Sequence, residues 1–106
     1  MNGPFGMRLT DFRRSLAQET PPSGLGDCLE ALWWAGKRDW ERAHAIAQEL
    51  EGPNAAWVHA YLHRVDGDLQ NARYWYVRAK RVMPASPLEQ EWAEIAESLL
   101  QDRPDP

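Results

Sequence analysis

Sliding the chain against itself by 29 residues brings two segments into register: Ala31 falls on Ala60, Asp39 on Asp68, Ala43 on Ala72 and Ile46 on Trp75. Each segment holds two apolar stripes at helical spacing, separated by a short polar corner, and so reads as a helical hairpin. In the second segment, Pro53 to Pro84, the corner is Gly67-Asp68. Glycine supplies the left-handed residue that ends one helix, and the aspartate caps the next. In the first, Gly36 is expected to stop one helix and Asp39 to cap its successor. Small residues at matched places let helix backbones approach closely. A lone hairpin cannot bury its apolar face, so the recurrence points to stacked hairpins sharing one core.

The rest of the chain fits around these hairpins. Met1 to Gly6 should be loose, and Thr10 can cap a short helix to about Glu19 whose Leu9, Phe12 and Leu16 form one narrow docking face. Pro21-Pro22-Ser23-Gly24 ends it. Asp27, with Glu30 as the reciprocal half of a capping box, opens the second helix through Leu29, Leu32, Trp33 and Ala35. The third carries Trp40, Ala43, Ile46, Ala47 and Leu50, and Gly52-Pro53 breaks the chain. The fourth runs from about Asn54 to Asp66, with Trp57, Val58, Tyr61, Leu62 and Val65 on its apolar face. The fifth buries Leu69, Ala72, Trp75, Tyr76, Ala79, Val82 and Met83, and Pro84 closes it. Ser86-Pro87-Leu88-Glu89 reads as a capping box opening a last helix. That helix carries Leu88, Trp92, Ile95, Ala96, Leu99 and Leu100, and turns Glu89, Glu91, Glu94 and Glu97 to solvent. The expectation is an all-α fold: residues 1–26 an N-terminal segment with a docking helix, 27–101 a helical-repeat domain, and 102–106 a frayed tail.

The second hairpin resembles a tetratricopeptide repeat. Ala60 stands at that family's small position, Gly67-Asp68 at its inter-helix corner, Ala72 at its central alanine, Tyr76 at the following aromatic, then Ala79 and Pro84. The first hairpin departs from the pattern, with Ala47 in place of the aromatic and a period shorter than the family's usual length of about 34 residues. The chain is also similar to a small bacterial family of unknown function whose hairpins bear tryptophan and histidine. The resemblance, over Asp27 to Pro84, implies a right-handed array of two helical hairpins with an N-terminal helix and a C-terminal capping helix. It also implies a concave side that holds a peptide or another protein.

Composition removes several function classes. A chain of 106 residues allows one core and leaves no room for a separate catalytic domain. Its 16 acidic and 12 basic residues give a net charge of -4, so nucleic acid is not an expected partner. Cys28 is the single cysteine, which excludes an intrachain disulfide and Cys-rich metal sites and suits a reducing compartment. Arginines interrupt the first residues where a signal peptide needs an apolar run, and no stretch approaches the ~18 apolar residues of a membrane span. A cytoplasmic location without a membrane partner is expected.

Two groups of side chains do not fit a packing explanation. His59 and His63 lie one turn apart on the fourth helix, at places where the tetratricopeptide pattern puts a leucine and a tyrosine. Buried imidazoles need partners, since an unpaired one costs about 1–3 kcal/mol. Their nitrogens can meet carbonyls, carboxylates or water between packed helices. Alternatively, with His44 as a third nitrogen or Glu30 as a carboxylate, they can hold zinc or another divalent metal, or act as acid and base near neutral pH. The second group is Asn71, Tyr74 and Arg78 on the fifth helix, of the residue types that dominate partner contacts, although Tyr74 can equally pack under the N-terminal helix. Trp33 and Trp34 are adjacent and diverge by about 100° on a helix, so one of them, Trp34, is a candidate contact for a partner.

Arg73, Arg78, Lys80 and Arg81 make the fifth helix basic while the last is acidic, and this complementarity suits a homodimer or simply solvated faces. No catalytic triad, phosphate loop or close carboxylate pair is recognisable. Two functions are therefore carried forward. One is a small interaction or adaptor module that binds another protein or peptide through Asn71, Tyr74, Arg78 and Trp34, without a cofactor. The other is a metal-dependent or acid–base enzyme centred on His44, His59 and His63.

Overall fold

A computed structural model of the chain describes residues 7–101, so Met1–Gly6, expected to be loose, and 102–106, expected to fray, lie outside the described residues. Six helices follow one another: α1 (Leu9–Ser15), α2 (Asp27–Gly36), α3 (Trp40–Ala47), α4 (Pro53–Val65), α5 (Leu69–Ala79) and α6 (Leu88–Gln101). The fold is all-α, with no strand among the described residues.

The two hairpin corners, α2 to α3 and α4 to α5, are closed by the same bonds. Asp39 N–H donates to Trp34 O and Arg38 N–H to Ala35 O; 29 residues later Asp68 N–H donates to His63 O and Gly67 N–H to Arg64 O. These pairs satisfy carbonyls at each helix end, and they need one left-handed residue. Asp39 and Asp68 then cap the next helix, their carboxylates accepting from the backbone N–H groups of Arg42 and Asn71. The left-handed residue is Gly67 in the second corner, at φ 82°, but Arg38 in the first, at φ 65°. Gly36 thus does not stop the helix; it lies inside the last turn of α2. A Cβ there would sit 3.0 Å from Cζ2 of Trp92 and 3.1 Å from the methyls of Leu16, so the glycine admits two neighbouring elements.

Other boundaries move for local reasons. Thr10 is not a cap: α1 begins at Leu9, with the Asp11 carboxylate accepting from Arg8 N–H at 3.2 Å, and ends at Ser15 rather than near Glu19. Asp27 is the first residue of α2, behind Gly26, and makes no capping bond. α3 stops at Ala47, short of Leu50. α5 ends at Ala79, before Pro84, because Lys80 turns left-handed and Arg81 N–H closes on Tyr76 O. Val82 therefore leaves the stripe expected to be buried and is 90% exposed, and Leu69 at the other end is 43% exposed.

The core is shared between hairpins. Ala31, Ala43, Ala60 and Ala72 are all fully buried, as close helix approach requires. Trp33 points to α1, its indole N–H donating to Ser15 Oγ at 2.9 Å, while Trp34 turns towards α3, where the Arg42 guanidinium lies 4.4 Å over its ring. α6 spans both hairpins, packing on α2 and α4, with α1 laid against it. Trp92 of α6 donates to Leu32 O and stacks on Phe12.

Glu91, expected to face solvent, is 1% exposed. Its carboxylate accepts from Trp57 Nε1 at 3.1 Å, from the Tyr76 hydroxyl at 2.6 Å and from Arg64 Nη1 at 2.8 Å. Position 91 precedes the buried Ile95 by four residues and Leu99 by eight, which is the buried sector of the helix, whereas Leu88, expected on that stripe, is 37% exposed. Charge type misled the expectation, and the converging donors make that burial tolerable. Glu89, Glu94 and Glu97 are exposed as expected.

Candidate metal centre

α3 and α4 come together across the side of α4 that carries His59 and His63. One turn of helix separates these two, so both rings leave α4 in the same direction, towards His44 on α3. The three imidazoles meet. Ring centroids are 4.8 Å apart for His44 and His59, 5.3 Å for His44 and His63, and 5.0 Å for His59 and His63. One ring nitrogen from each lies within 4.8 Å of the others.

Two tryptophans wall the cluster. Trp40 stacks on His44 at 4.6 Å and is itself pinned by its indole N–H donating to Leu62 O; Trp75 stacks on His59 at 4.0 Å. His59 and His63 are buried, while half-buried His44 marks the solvent side. Burial, and then the neighbouring His44 and His63, push the His59 pKa down to about 4. That of His44 is lowered by burial and by His63, against the opposing pull of the Asp66 carboxylate. At neutral pH both rings are therefore uncharged and offer lone pairs, the state in which imidazole binds a metal.

These rings have too few protein partners. His44 Nε2 and His59 Nε2 are 3.1 Å apart, where a single N–H can be donated one way only. His63 Nδ1 is buried without a hydrogen-bond partner, its nearest carboxylate oxygen, Asp66 Oδ2, standing 3.8 Å away. An orphaned buried nitrogen is a costly feature that a ligand would relieve.

Zinc fits this donor set. With Zn–N bonds of about 2.0–2.1 Å, nitrogens on two vertices of a tetrahedron are about 3.3–3.4 Å apart. The His44–His59 separation of 3.1 Å is within a few tenths of that edge. The widest separation, 4.8 Å, must contract by about 1.4 Å to reach the same edge, a ring rotation on one side. The fourth vertex would open towards solvent beside His44.

Glu30 is half-buried on α2 and does not join the cluster; among the described residues the ligand-range group is the three histidines alone. Asp66 is the acid that sequence reasoning missed, although its place three residues after His63 put it on the next turn of the same face. Of the proposed partner contacts, Tyr74 is 54% exposed on the outer face of α5, so it does not pack under α1. Arg78 places its guanidinium 5.6 Å over the Tyr74 ring, and half-buried Asn71 shares that face. Trp34 belongs to a different surface, on α2.

No family model, curated protein or solved structure matches this chain. The chemistry of its own side chains has to carry the functional reading. Among the described residues no helix is long and apolar enough to cross a membrane.

Proposed function

We propose that the chain is a small tetratricopeptide-like helical-hairpin protein that binds one divalent transition metal, with zinc as the reference ion, through His44, His59 and His63. The observation that carries this reading is the convergence of three imidazoles, one of which, His63, buries an Nδ1 without a hydrogen-bond partner. Packing alone gives no reason to gather three rings that repel one another's protons; a shared cation does. Imidazole is a good ligand for zinc, copper and nickel. Held by His44, His59 and His63, a zinc ion would supply Lewis acidity and could activate a water molecule near neutral pH.

The chain's own residues have separable roles. His59 and His63 supply two nitrogens from one rigid helix, and His44 brings the third across from the first hairpin, so the ion would join the hairpins. Trp40 and Trp75 hold two of the rings by stacking and keep water from their faces. Asp66 stands where it can partly balance the added positive charge.

Protein made without a polyhistidine tag, dialysed against zinc and assayed for metal, should hold about one ion per chain, as a single closed-shell tetrahedral site requires. The double variant His59→Ala, His63→Ala should hold none. Equal, weak uptake by the two proteins would end the metal reading.

A second reading, binding of another protein or of a second copy, is favoured by the outer face of α5. There Val77 is 75% exposed beside Tyr74, and Arg73 and Arg78, with Lys80 and Arg81 just past the end of the helix, oppose in charge the exposed Glu89, Glu94 and Glu97 of α6. An elution volume that shifts with salt and with Arg78→Ala would support charge-driven pairing. A volume indifferent to both would count against it.

A further inference from the structure

Beside Trp40, and lined by none of the three histidines, the structure contains a cleft of about 550 Å³ that the metal reading does not use. It is walled by the aromatic rings of Trp40, Tyr61 and Trp92, and Arg13, Arg38 and Glu89 also line it. Its size suits a small organic molecule.

The polar groups of these walls are mostly spoken for. The indole N–H of Trp40 donates to Leu62 O and that of Trp92 to Leu32 O, so both tryptophans offer the cleft apolar surface. The two arginines differ. Arg14, Arg42 and Arg64 each have a carboxylate within ion-pair distance, whereas neither Arg13 nor Arg38 has one among the described residues. Arg13 only overlies the Trp92 ring, at 5.7 Å. With Glu89 as the single acid of the lining, these side chains leave a net charge of about one positive unit, which matches a monoanion better than a dianion. Arg38 also occupies the left-handed corner that the other hairpin gives to Gly67, a backbone state that disfavours a side chain.

We infer that this cleft binds a small monocarboxylate with an aromatic or branched aliphatic body, its carboxylate met by Arg13 and Arg38 and its body resting on Trp40, Tyr61 and Trp92. Guanidinium groups recognise carboxylates through paired, charge-assisted hydrogen bonds, and the aromatic walls supply apolar contact. The Tyr61 hydroxyl, whose pKa burial and then the Glu91 carboxylate push up to about 12, stays protonated and able to donate. The site is independent of the metal reading and survives if that reading fails.

The test uses 2-naphthoate as probe, with neutral 2-naphthamide and dianionic 2-naphthyl phosphate beside it, followed by the indole N–H resonances and by calorimetry. 2-Naphthoate should saturably shift the Trp40 and Trp92 indole signals. Replacing it with the amide, or making Arg38→Gly or Arg13→Gln, should weaken binding by about tenfold or more, the loss of one charge-assisted contact. Arg38→Gly should fold with an unchanged or higher melting temperature, because glycine takes the left-handed corner without strain. Amide and acid binding equally, either variant retaining full affinity, the phosphate binding more tightly than the acid, or no saturable shift at Trp40 and Trp92 would each overturn the inference.

Discussion

α4 carries a buried polar centre on each of two opposite faces, and the two differ in one respect. At about 100° per residue, Trp57, Tyr61 and Arg64 share one side of the helix while His59 and His63 share the other. On the first side Glu91 gathers the Trp57 indole, the Tyr76 hydroxyl and Arg64, so every strong group in that centre has a partner. On the second, three imidazoles share one contact between Nε2 atoms, and His63 Nδ1 has none. Both centres are polar and buried, but only the first is complete. A satisfied buried network explains itself as structure, and an unsatisfied one asks for something to be added.

The comparison can be broken first at the complete centre. Glu91→Ala strands the Arg64 charge and should lower unfolding free energy by about 3–5 kcal/mol in urea titrations. A loss below about 1 kcal/mol would mean that Glu91 is no more structural than an exposed acid.

The incomplete centre should respond to pH in metal-free protein. The His59 pKa is about 4 folded, against an ordinary value of 6.5, so below neutrality the unfolded chain takes up a proton that the folded chain refuses. Stability is therefore full above pH 6.5 and falls as pH drops towards 4, by on the order of 3 kcal/mol. His44 is shifted the same way and adds to the same sign. His59→Gln should flatten this dependence, and an unchanged slope in that variant would place its cause elsewhere.

Zinc should then supply what the incomplete centre lacks. At free zinc about a hundredfold above its dissociation constant, wild-type stability should rise by about 2.7 kcal/mol, with a chelator reversing the gain. His63→Ala should show no such gain. The outer face of α5 belongs to neither centre and sets the baseline, so Tyr74→Ala should change stability by no more than about 0.5 kcal/mol.

Much of the fold was legible because local chemistry and long-range packing agree in the hairpins. Asp39 and Asp68 cap where their type demands, and the matched alanines are buried where helices cross. Legibility failed where tertiary contacts override residue type. Glu91 has the type of a surface acid, although its spacing from Ile95 and Leu99 places it inside. Arg38 takes a turn position that glycine usually fills, and Gly36, which looked like a stop, instead makes room for Trp92 and Leu16. Val82 continues the apolar periodicity of α5, but Lys80 ends that helix before it.

The site was legible in part for a similar reason. His59 and His63 stood out as polar rings in places suited to packing residues, and their spacing alone put them on one face. Their third partner depended on which helix crosses that face, which spacing within one helix cannot give. α3 brings His44 there, whereas Glu30 sits on α2. Asp66 ends α4, and in the sequence an acid at that place marks a helix terminus rather than a neighbour of His63. Arg13 and Arg38 line one cleft from separate helices and corners of the chain, and no local pattern announces it.

The central claim, that the incomplete centre is a metal site, is tested most directly by following the six imidazole nitrogens of tag-free protein by long-range ¹H–¹⁵N correlation during a zinc titration. The account predicts that His44, His59 and His63 change together and that each loses one free lone-pair nitrogen signal as the titration reaches about one zinc per chain. Three rings whose nitrogens remain unchanged by zinc, or a single ring responding without the other two, would contradict it.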